Sequence, residues 1–399
     1  MFIRTCTAIV LALVVSLPSA ATGQRHSQDA ATLRRQGLEL GYNLDHADAL
    51  TTFKAAILAD PEHPAGYRMA AAAAWIMILF EQGHISVDDY FGDTRIYQPR
   101  GVLNARLEAE FDADIAQAIA LADAQVRQHP DNADAHSQLG AAYGLQASFG
   151  TTVRGQVIAS LGPARRAYRE QERVMALDPS RTDAGITLGM YRYAVAGLPA
   201  PKRIVARLFG FPGDRPLAIR LLEAAAQRSG DTQPNAMFTL ILMLNGEQRY
   251  DEALALIVEL EHRFPRNRLM PLEEGRTLLR QRRFAAAKSV LRRGLETFVS
   301  DVRAKAPGEE SRWRLALGMA LVGLGECDDA GRELRAALPV ATRGWVRGRI
   351  QIELGKIADL GGDHPQAVRA YRQAAQLCSQ DHDVECADSA AQLMKVAYR

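Results

Sequence analysis

Apolar and small residues recur in this chain at spacings of three, four and seven positions, and one series of spacings appears twice near the C-terminus. The first series is Leu317, Gly318, Leu321, Gly325, Ala330, Leu334 and Ala337. The second series, 37 positions later, is Leu354, Gly355, Ala358, Gly362, Ala367, Tyr371 and Ala374. These spacings place the residues on one face of an α-helix. Recurrence at this period predicts stacked helical hairpins, each of which contacts only its neighbours.

The same offsets predict contacts within each hairpin. Two antiparallel helices approach closely only where side chains are small, and larger apolar side chains fill the remaining space. We therefore expect Gly318 to meet Ala330 across the hairpin and Ala337 to meet the next hairpin, with the leucines of the series between them.

Earlier parts of the chain show the same repeat spacing. Prolines at positions 61, 130, 179 and 265 each lie twelve positions after an alanine, and a proline in such a turn ends a helix because it lacks an amide donor. About eight units result. Extra residues interrupt the spacing at about 83–108, 145–162, 195–213 and 299–309. Insertions of this kind in repeat proteins commonly form loops or extra helices on one face.

The Leu-Gly pair, the apolar residue three positions on and the alanine twelve after the glycine resemble the tetratricopeptide repeat (TPR) family. The resemblance implies an all-α, right-handed superhelical solenoid of about eight TPR-like helix-turn-helix hairpins, with insertions and a C-terminal capping helix. We divide the chain into a signal peptide (1–23), N-terminal repeats (24–180), central repeats (181–300) and C-terminal repeats with the cap (301–399). A generic alanine-rich helical bundle is the alternative.

The insertion at 195–213 carries a second resemblance. It contains Leu198-Pro199-Ala200-Pro201-Lys202 and then Gly210-Phe211-Pro212-Gly213-Asp214-Arg215. This segment is similar to one in the eukaryotic inclusion-body-clearance TPR family, which is associated with the mitochondrial outer membrane, and in bacterial TPR proteins. The similarity implies common architecture and transfers no function. We expect Phe209 and Phe211 to pack on the neighbouring hairpins and Asp214 to be a helix N-cap.

The N-terminal residues have the pattern of an export signal. Arg4 precedes an apolar run from Thr7 to Leu17, and small residues follow at Ser19 to Gly23. This pattern is typical of a Sec signal peptide cleaved near residues 21–24, which predicts a periplasmic or secreted protein. An uncleaved N-terminal anchor is the alternative, and the oligomeric state and biological process are left open.

Composition and motifs narrow the function. The net charge of +2 in 399 residues is no nucleic-acid signature. No phosphate-binding loop, nucleophile elbow or metal-ligand spacing is present in the sequence, so we predict no enzyme, no cofactor and no metal site. Basic residues cluster between Arg276 and Arg293, which indicates a solvated helix face or a docking surface for an acidic partner.

Three cysteines follow the leader. Export allows disulfides, and we expect Cys378 and Cys386 to pair across a short turn, with Cys327 a buried thiol. A metal site of these two cysteines with His382 is the less favoured interpretation.

In the TPR family the first helix of each unit lines the concave face, which implies a peptide groove here. Apolar residues with interspersed basic ones suit an extended or helical peptide that carries an acidic group. Packing against the neighbouring unit would explain the apolar ones equally well. The predicted groove residues are Phe238, Leu242, Asn245, Leu272, Arg276, Leu279, Leu315, Met319, Val322, Arg349, Ile352 and Lys356.

The leading hypothesis is therefore an exported, non-enzymatic TPR scaffold that binds a protein or peptide whose identity the sequence does not give. The second is a peripheral membrane or envelope-associated protein that uses residues 198–212, because Lys202 to Phe209 is basic on one side and apolar on the other. An enzyme with an unrecognised site ranks last.

Overall fold

The computed structural model describes residues 20–86, 89, 103–208 and 210–399, with the backbone alone for 20–27. Most of the predicted leader therefore lies outside the described residues. The described residues form eighteen α-helices and no β-strand, as the sequence predicted. The helices are α1 (Ala20–Tyr42), α2 (His46–Ala59), α3 (Pro64–Glu81), α4 (Ala105–Gln128), α5 (Ala133–Thr152), α6 (Val157–Leu177), α7 (Ala184–Ala196), α8 (Ala200–Leu208), α9 (Arg215–Gln227), α10 (Gln233–Gly246), α11 (Tyr250–Arg263), α12 (Leu269–Arg280), α13 (Phe284–Ser300), α14 (Glu309–Gly323), α15 (Cys327–Val340), α16 (Gly344–Leu360), α17 (His364–Gln380) and α18 (Val384–Leu393).

The helices pack as eight consecutive hairpins. The pairs are α1–α2, α3–α4, α5–α6, α7–α9, α10–α11, α12–α13, α14–α15 and α16–α17, and α18 caps the last pair. The short helix α8 is inserted within the fourth pair. Helices also pack across the two predicted internal boundaries, α6 on α7 and α13 on α14. The array thus has the predicted number of hairpins, in continuous contact along the chain.

A glycine in the first helix faces a large side chain of the second helix in four of the hairpins. The large residue follows the glycine by sixteen positions, in the pairs Gly37 and Phe53, Gly275 and Leu291, Gly318 and Leu334, and Gly355 and Tyr371. A Cβ at any of these glycines would come within 2.4 to 2.6 Å of its partner's side chain. This recurring contact fixes how closely the two helices approach.

Leu334, rather than the expected Ala330, supplies the atoms nearest to Gly318. A Cβ at Gly318 would lie 2.6 and 2.7 Å from two of these atoms. Ala330 is fully buried elsewhere in the same core cluster. The glycine accommodates a leucine because a helix pair without voids needs a large side chain opposite each small one.

The turns between paired helices share a left-handed residue, whether or not it is glycine. Gly325 and Gly362 occupy this position with φ of 76° and 80°, and Leu44 and Gln248 occupy it with φ of 68° and 60°. A non-glycine residue in this conformation is uncommon and costs free energy. Some turns of the array therefore have the same left-handed backbone conformation but no glycine in the sequence to indicate it.

The insertion at 195–213 forms α8 and the link to α9. Phe211 is buried, with its ring centroid 5.9 Å from that of Tyr168 and 5.8 Å from that of Tyr191, so its predicted packing is confirmed. Phe209 lies outside the described residues. Asp214 caps α9 as predicted, because its Oδ1 accepts a hydrogen bond from the Leu217 amide at 2.9 Å.

The first hairpin also contacts the sixth and seventh, far along the chain. The Arg266 amide donates to Asn43 Oδ1 at 3.0 Å, and Asn267 Nδ2 donates to the Tyr42 carbonyl at 2.7 Å. From the next inter-hairpin loop, Arg303 Nη1 donates to the Asn43 carbonyl at 2.7 Å. The α1–α2 turn therefore docks on two consecutive inter-hairpin loops, and the array closes on itself.

The glycine contacts give the first prediction. We expect Gly355→Ala to lower the free energy of unfolding by about 1–3 kcal/mol, because the new Cβ would overlap the buried ring of Tyr371. Gly162→Ala is the matched control, since Gly162 also lies in a helix but a Cβ there meets nothing within 4 Å. The control should be neutral or stabilising by up to about 1 kcal/mol, from helix propensity. Urea denaturation of both variants measures this, and equal effects would contradict the packing.

Candidate functional site

The predicted groove residues divide into two groups by burial. Leu272, Leu315, Val322 and Ile352 are buried within the hydrophobic core clusters. Of the other predicted residues, Asn245 and Arg276 are also buried. The remaining six are partly exposed: Phe238, Leu242, Leu279, Met319, Arg349 and Lys356. The surface that remains for a partner is therefore smaller than the sequence suggested, and it combines four apolar with two basic side chains.

Arginines from three consecutive first helices converge beside this surface. Burial lowers the pKa of Arg276 on α12 well below its ordinary value, and the positive charges of Arg280, Arg312 and Arg349 lower it further. Charges that act on one another in this way lie close together, and a cluster of guanidinium groups favours carboxylate ligands. We call Arg276, Arg280, Arg312 and Arg349 the arginine cluster.

Acidic side chains of the same chain bind three members of the cluster. Glu273 Oε1 lies 3.0 Å from Arg280 Nη1, and Asp383 Oδ2 lies 3.0 Å from Arg349 Nε. Asp89 binds Arg312 with both oxygens, at 2.5 and 2.8 Å. Carboxylates from three different parts of the chain therefore bind arginines of the cluster.

The contact between Arg312 and Asp89 is fully buried. The two side chains are 1% and 2% exposed. Arg312 also donates to Ser86 Oγ at 3.0 Å and to the Gly83 carbonyl at 2.7 Å, and its guanidinium lies 5.1 Å from the ring of Trp345. Burial alone would raise the pKa of Asp89, but the charge and hydrogen bonds of Arg312 lower it to about 2. Asp89 is therefore ionised at neutral pH.

Gly83 allows the segment after α3 to lie close to the loop that precedes α14. Its φ is +73°, in the left-handed region that favours glycine, and a Cβ there would lie 2.7 Å from the Pro307 carbonyl oxygen. Arg343, from the following inter-hairpin loop, donates to the Gln82 carbonyl. The segment after α3 is consequently held against the loops that precede α14 and α16.

Sequence reasoning identified Arg276 and Arg349 as inward-facing residues but missed Arg312. A signal was present, because Arg312 precedes the predicted inward residue Leu315 by three positions and so extends the same helix face by one turn. An arginine on a face that is otherwise apolar needs a buried partner. Its partner Asp89 is 223 positions away, and no local pattern connects the two.

The second basic surface lies on the exposed face of α13. Arg292 and Arg293 are exposed there, Arg282 and Arg283 are exposed in the turn before the helix, and Lys288 forms an ion pair with Glu326 at 2.6 Å. These residues formed one basic stretch in the sequence together with Arg276 and Arg280 of the arginine cluster. In the structure the arginines at α13 are exposed, whereas the arginine cluster is partly buried. Variants of the two groups can therefore be compared in one binding assay.

The cysteines lie at the C-terminal end. Cys378 and Cys386 form a disulfide with their Cα atoms 5.8 Å apart, and Cys327 is a free cysteine of intermediate exposure. One ligand atom from each of Cys378, Asp383 and Cys386 lies within 4.8 Å of the others, but the two sulfurs are bonded to each other here. The bond ties the last full hairpin to the capping helix.

The buried ion pair gives the second prediction. Arg312→Met should lower the free energy of unfolding by about 3–5 kcal/mol, because it leaves Asp89 buried without its partner. Arg314→Met on the same helix is the control. Arg314 pairs with Glu310 and Glu333 near the surface and should matter by less than about 1 kcal/mol. Chemical denaturation at neutral pH compares the two, and an Arg312→Met effect as small as the control would contradict the assignment.

His46 gives a prediction for pH. It begins α2 at the closing contact, its ring against Phe80 at 5.3 Å. Burial lowers its pKa from 6.5 to about 4, Asp45 opposes this, and Arg268 and Arg303 add to it.

The unfolded chain therefore binds a proton on His46 before the folded chain does, and stability should decrease as pH falls from about 6.5 to about 4. His46→Gln should reduce this slope. Denaturation midpoints across this range measure it, and identical slopes in the parent and His46→Gln would refute it.

Comparison with known proteins agrees with this architecture. A family profile described as tetratricopeptide repeat matches residues 272–339 and 315–382. A search of curated proteins finds no match. Similar solved structures include yeast Tom70, at 12% identity and a TM-score of 0.39, covering 92% of this chain and 97% of that one.

Two further structures are similar in helical arrangement. Pseudomonas aeruginosa PilF has 18% identity and a TM-score of 0.38, with 64% of this chain and 97% of that one covered. The Cut9–Hcn1 hetero-tetramer has 13% identity and a TM-score of 0.47 over 86% of this chain, and the chain spans about half (52%) of that protein. These similarities say nothing about the partners of this chain.

The profile match covers the sixth to eighth hairpins, where the glycine-to-large-residue contacts are regular. Helices are also packed in pairs in the other five hairpins. The repeated sequence series and the profile match over residues 272–382 support a tetratricopeptide repeat protein, and the eight helix hairpins are consistent with that architecture.

Proposed function

We propose that this chain is an exported, non-enzymatic scaffold that holds an acidic segment of a protein partner on the inner face of its C-terminal hairpins. The tetratricopeptide repeat architecture supports protein–protein interaction. The acidic character of the partner is inferred from the arginine cluster, and export is inferred from the leader sequence.

The observation that carries the proposal is the capture of Asp89 by Arg312. In that contact an acidic residue from a distant part of the chain lies against α14, and a guanidinium binds both of its oxygens. Bidentate binding of this kind is the standard way in which arginine recognises a carboxylate. The chain thus contains, within itself, an example of the interaction that we propose for a partner.

Apolar contacts would supply the remainder of the binding energy. Leu242 on α10, Leu279 on α12 and Met319 on α14 are partly exposed on successive first helices. Side chains spaced along neighbouring helices suit alternate apolar residues of an extended segment, while arginines at the border select acidic ones. A partner with alternating acidic and apolar residues fits this arrangement best.

A binding assay with charge-reversal variants tests the site. The probe is a fluorescein-labelled peptide of alternating glutamate and leucine, and its glutamine counterpart is the control peptide. We expect Arg280→Glu combined with Arg349→Glu to weaken binding about tenfold or more. Arg292→Glu combined with Arg293→Glu on α13 changes the net charge equally and should leave the affinity within about twofold.

A larger loss from the α13 pair would move the site to the exposed basic surface and overturn the proposal. Equal binding of the glutamate and glutamine peptides would also overturn it. Because Arg349 binds Asp383, circular dichroism melting of each variant must accompany the assay. Export is tested separately by N-terminal sequencing of the protein from the envelope fraction, with a mature N-terminus expected near residues 21–24.

A further inference from the structure

Helix α8 is an amphipathic helix whose apolar side chains face solvent. None of the residues from Ala200 to Leu208 is buried. Ile204, Val205 and Leu208 are 64%, 51% and 80% exposed. Aliphatic side chains on a surface helix of a soluble domain normally face the core. Three of them, exposed within one turn, therefore need an explanation.

The orientation of α8 explains the exposure. At 3.6 residues per turn, Ile204, Val205 and Leu208 share one face, and Ala206 lies about 150° around the helix from its centre. Ala206 alone in α8 is partly buried, and it packs on the cluster that contains Tyr168 and Phe211. The helix is thus attached to the protein by its alanine side, and its aliphatic face is directed outward.

Neighbouring α6 contributes more exposed aliphatic side chains. Ile158 and Leu161 are 85% and 47% exposed, and Arg165 lies on the same helix face. A Cβ at Gly210, two positions after α8, would lie 4.0 Å from Arg165 Nε. The exposed stripe of α6 therefore runs toward the end of α8, and we take the two stripes together as one candidate surface.

Positive charge borders this surface. Lys202, Arg203 and Arg207 of α8 are all exposed. The sequence contains no aspartate or glutamate from Leu198 to Gly213 or from Val153 to Arg169. An apolar face with a cationic border and no acidic residue is complementary to a negatively charged, amphipathic surface, and the headgroup layer of an anionic bilayer has both properties.

We propose that α8, together with the first turns of α6, is a docking site for an anionic lipid surface, with Ile204, Val205 and Leu208 inserted at the headgroup boundary. Lys202 and Arg207, on either side of that face, then contact lipid phosphates. The helix would lie in the interface rather than span the bilayer, which agrees with the absence of any helix long and apolar enough to cross a membrane among the described residues. This site is separate from the inner face and adds membrane attachment to the proposed scaffold.

Co-sedimentation of the mature chain with vesicles tests the proposal. One set of vesicles contains phosphatidylcholine with phosphatidylglycerol, and the other contains phosphatidylcholine alone. We expect binding to the anionic vesicles that decreases at high salt and is about tenfold weaker, or more, with the neutral vesicles. The double variant Ile204→Ser/Leu208→Ser should lose at least about tenfold in partitioning, because two inserted aliphatic side chains are removed.

Two controls separate lipid binding from other causes. Leu58→Ser removes a leucine that is 84% exposed on α2, and should bind vesicles like the parent. Lys202→Gln/Arg203→Gln/Arg207→Gln leaves the apolar face intact but should abolish the preference for anionic vesicles. All these side chains are exposed, so the melting temperature should not change.

Several results would overturn the proposal. They are failure of the parent chain to sediment with anionic vesicles, equal binding to neutral vesicles, or unchanged binding of the serine variant. Concentration-dependent dimerisation that the Ile204→Ser/Leu208→Ser variant abolishes, without vesicle binding by the parent, would assign the surface to a second copy of the chain instead.

Discussion

The closed arrangement of the array depends on the buried ion pair between Arg312 and Asp89, which holds the segment after α3 against α14. Removing two charges from water costs several kcal/mol per ion, and the cost is offset only when each charge is fully hydrogen-bonded. Arg312 meets this condition with both oxygens of Asp89, the Ser86 hydroxyl and the Gly83 carbonyl. Any opening of the array would expose this pair and leave the inter-hairpin loops without their partners.

Closure also restricts the inner face. An open array of tetratricopeptide repeats offers the whole inner surface of its first helices, but here the segment after α3 already occupies part of the surface at α14 and α16. The partly exposed residues on α10, α12, α14 and α16 are what remains for a partner. In the proposed function Arg280 and Arg349 select acidic segments, whereas Arg312 of the same cluster holds the chain closed. Helix α8 is directed outward from a different hairpin.

Much of the fold could be predicted because it is local. Spacings within one hairpin fix the helix faces, and the Asp214 cap needs only three adjacent residues. The packing of Phe211 was likewise correct because the helix start beside it was recognisable. Where the sequence signal failed, the reason was also local: Leu44 and Gln248 occupy the left-handed turn position without glycine, which hid the turn signal at those units.

The closing contacts and the site could not be predicted in the same way. Asp89 and Arg312 are 223 positions apart, and Arg303 and Asn43 are 260 apart, so no periodicity relates them. Leu272, Leu315, Val322 and Ile352 lie on the expected helices but are buried in the core, because one apolar pattern serves both a groove and a helix contact. Burial, which decides between these roles, depends on neighbours that the pattern does not specify.

A distance measurement between the ends of the array tests closure most directly. Spin labels at Asp48→Cys in α2 and Val302→Cys in the loop before α14, in a Cys327→Ser background, report on the contact that Arg303 makes with Asn43. Both labelled positions are exposed. Closure predicts one short, narrow distance distribution by electron paramagnetic resonance at neutral pH. A broad distribution centred at long distance would contradict it.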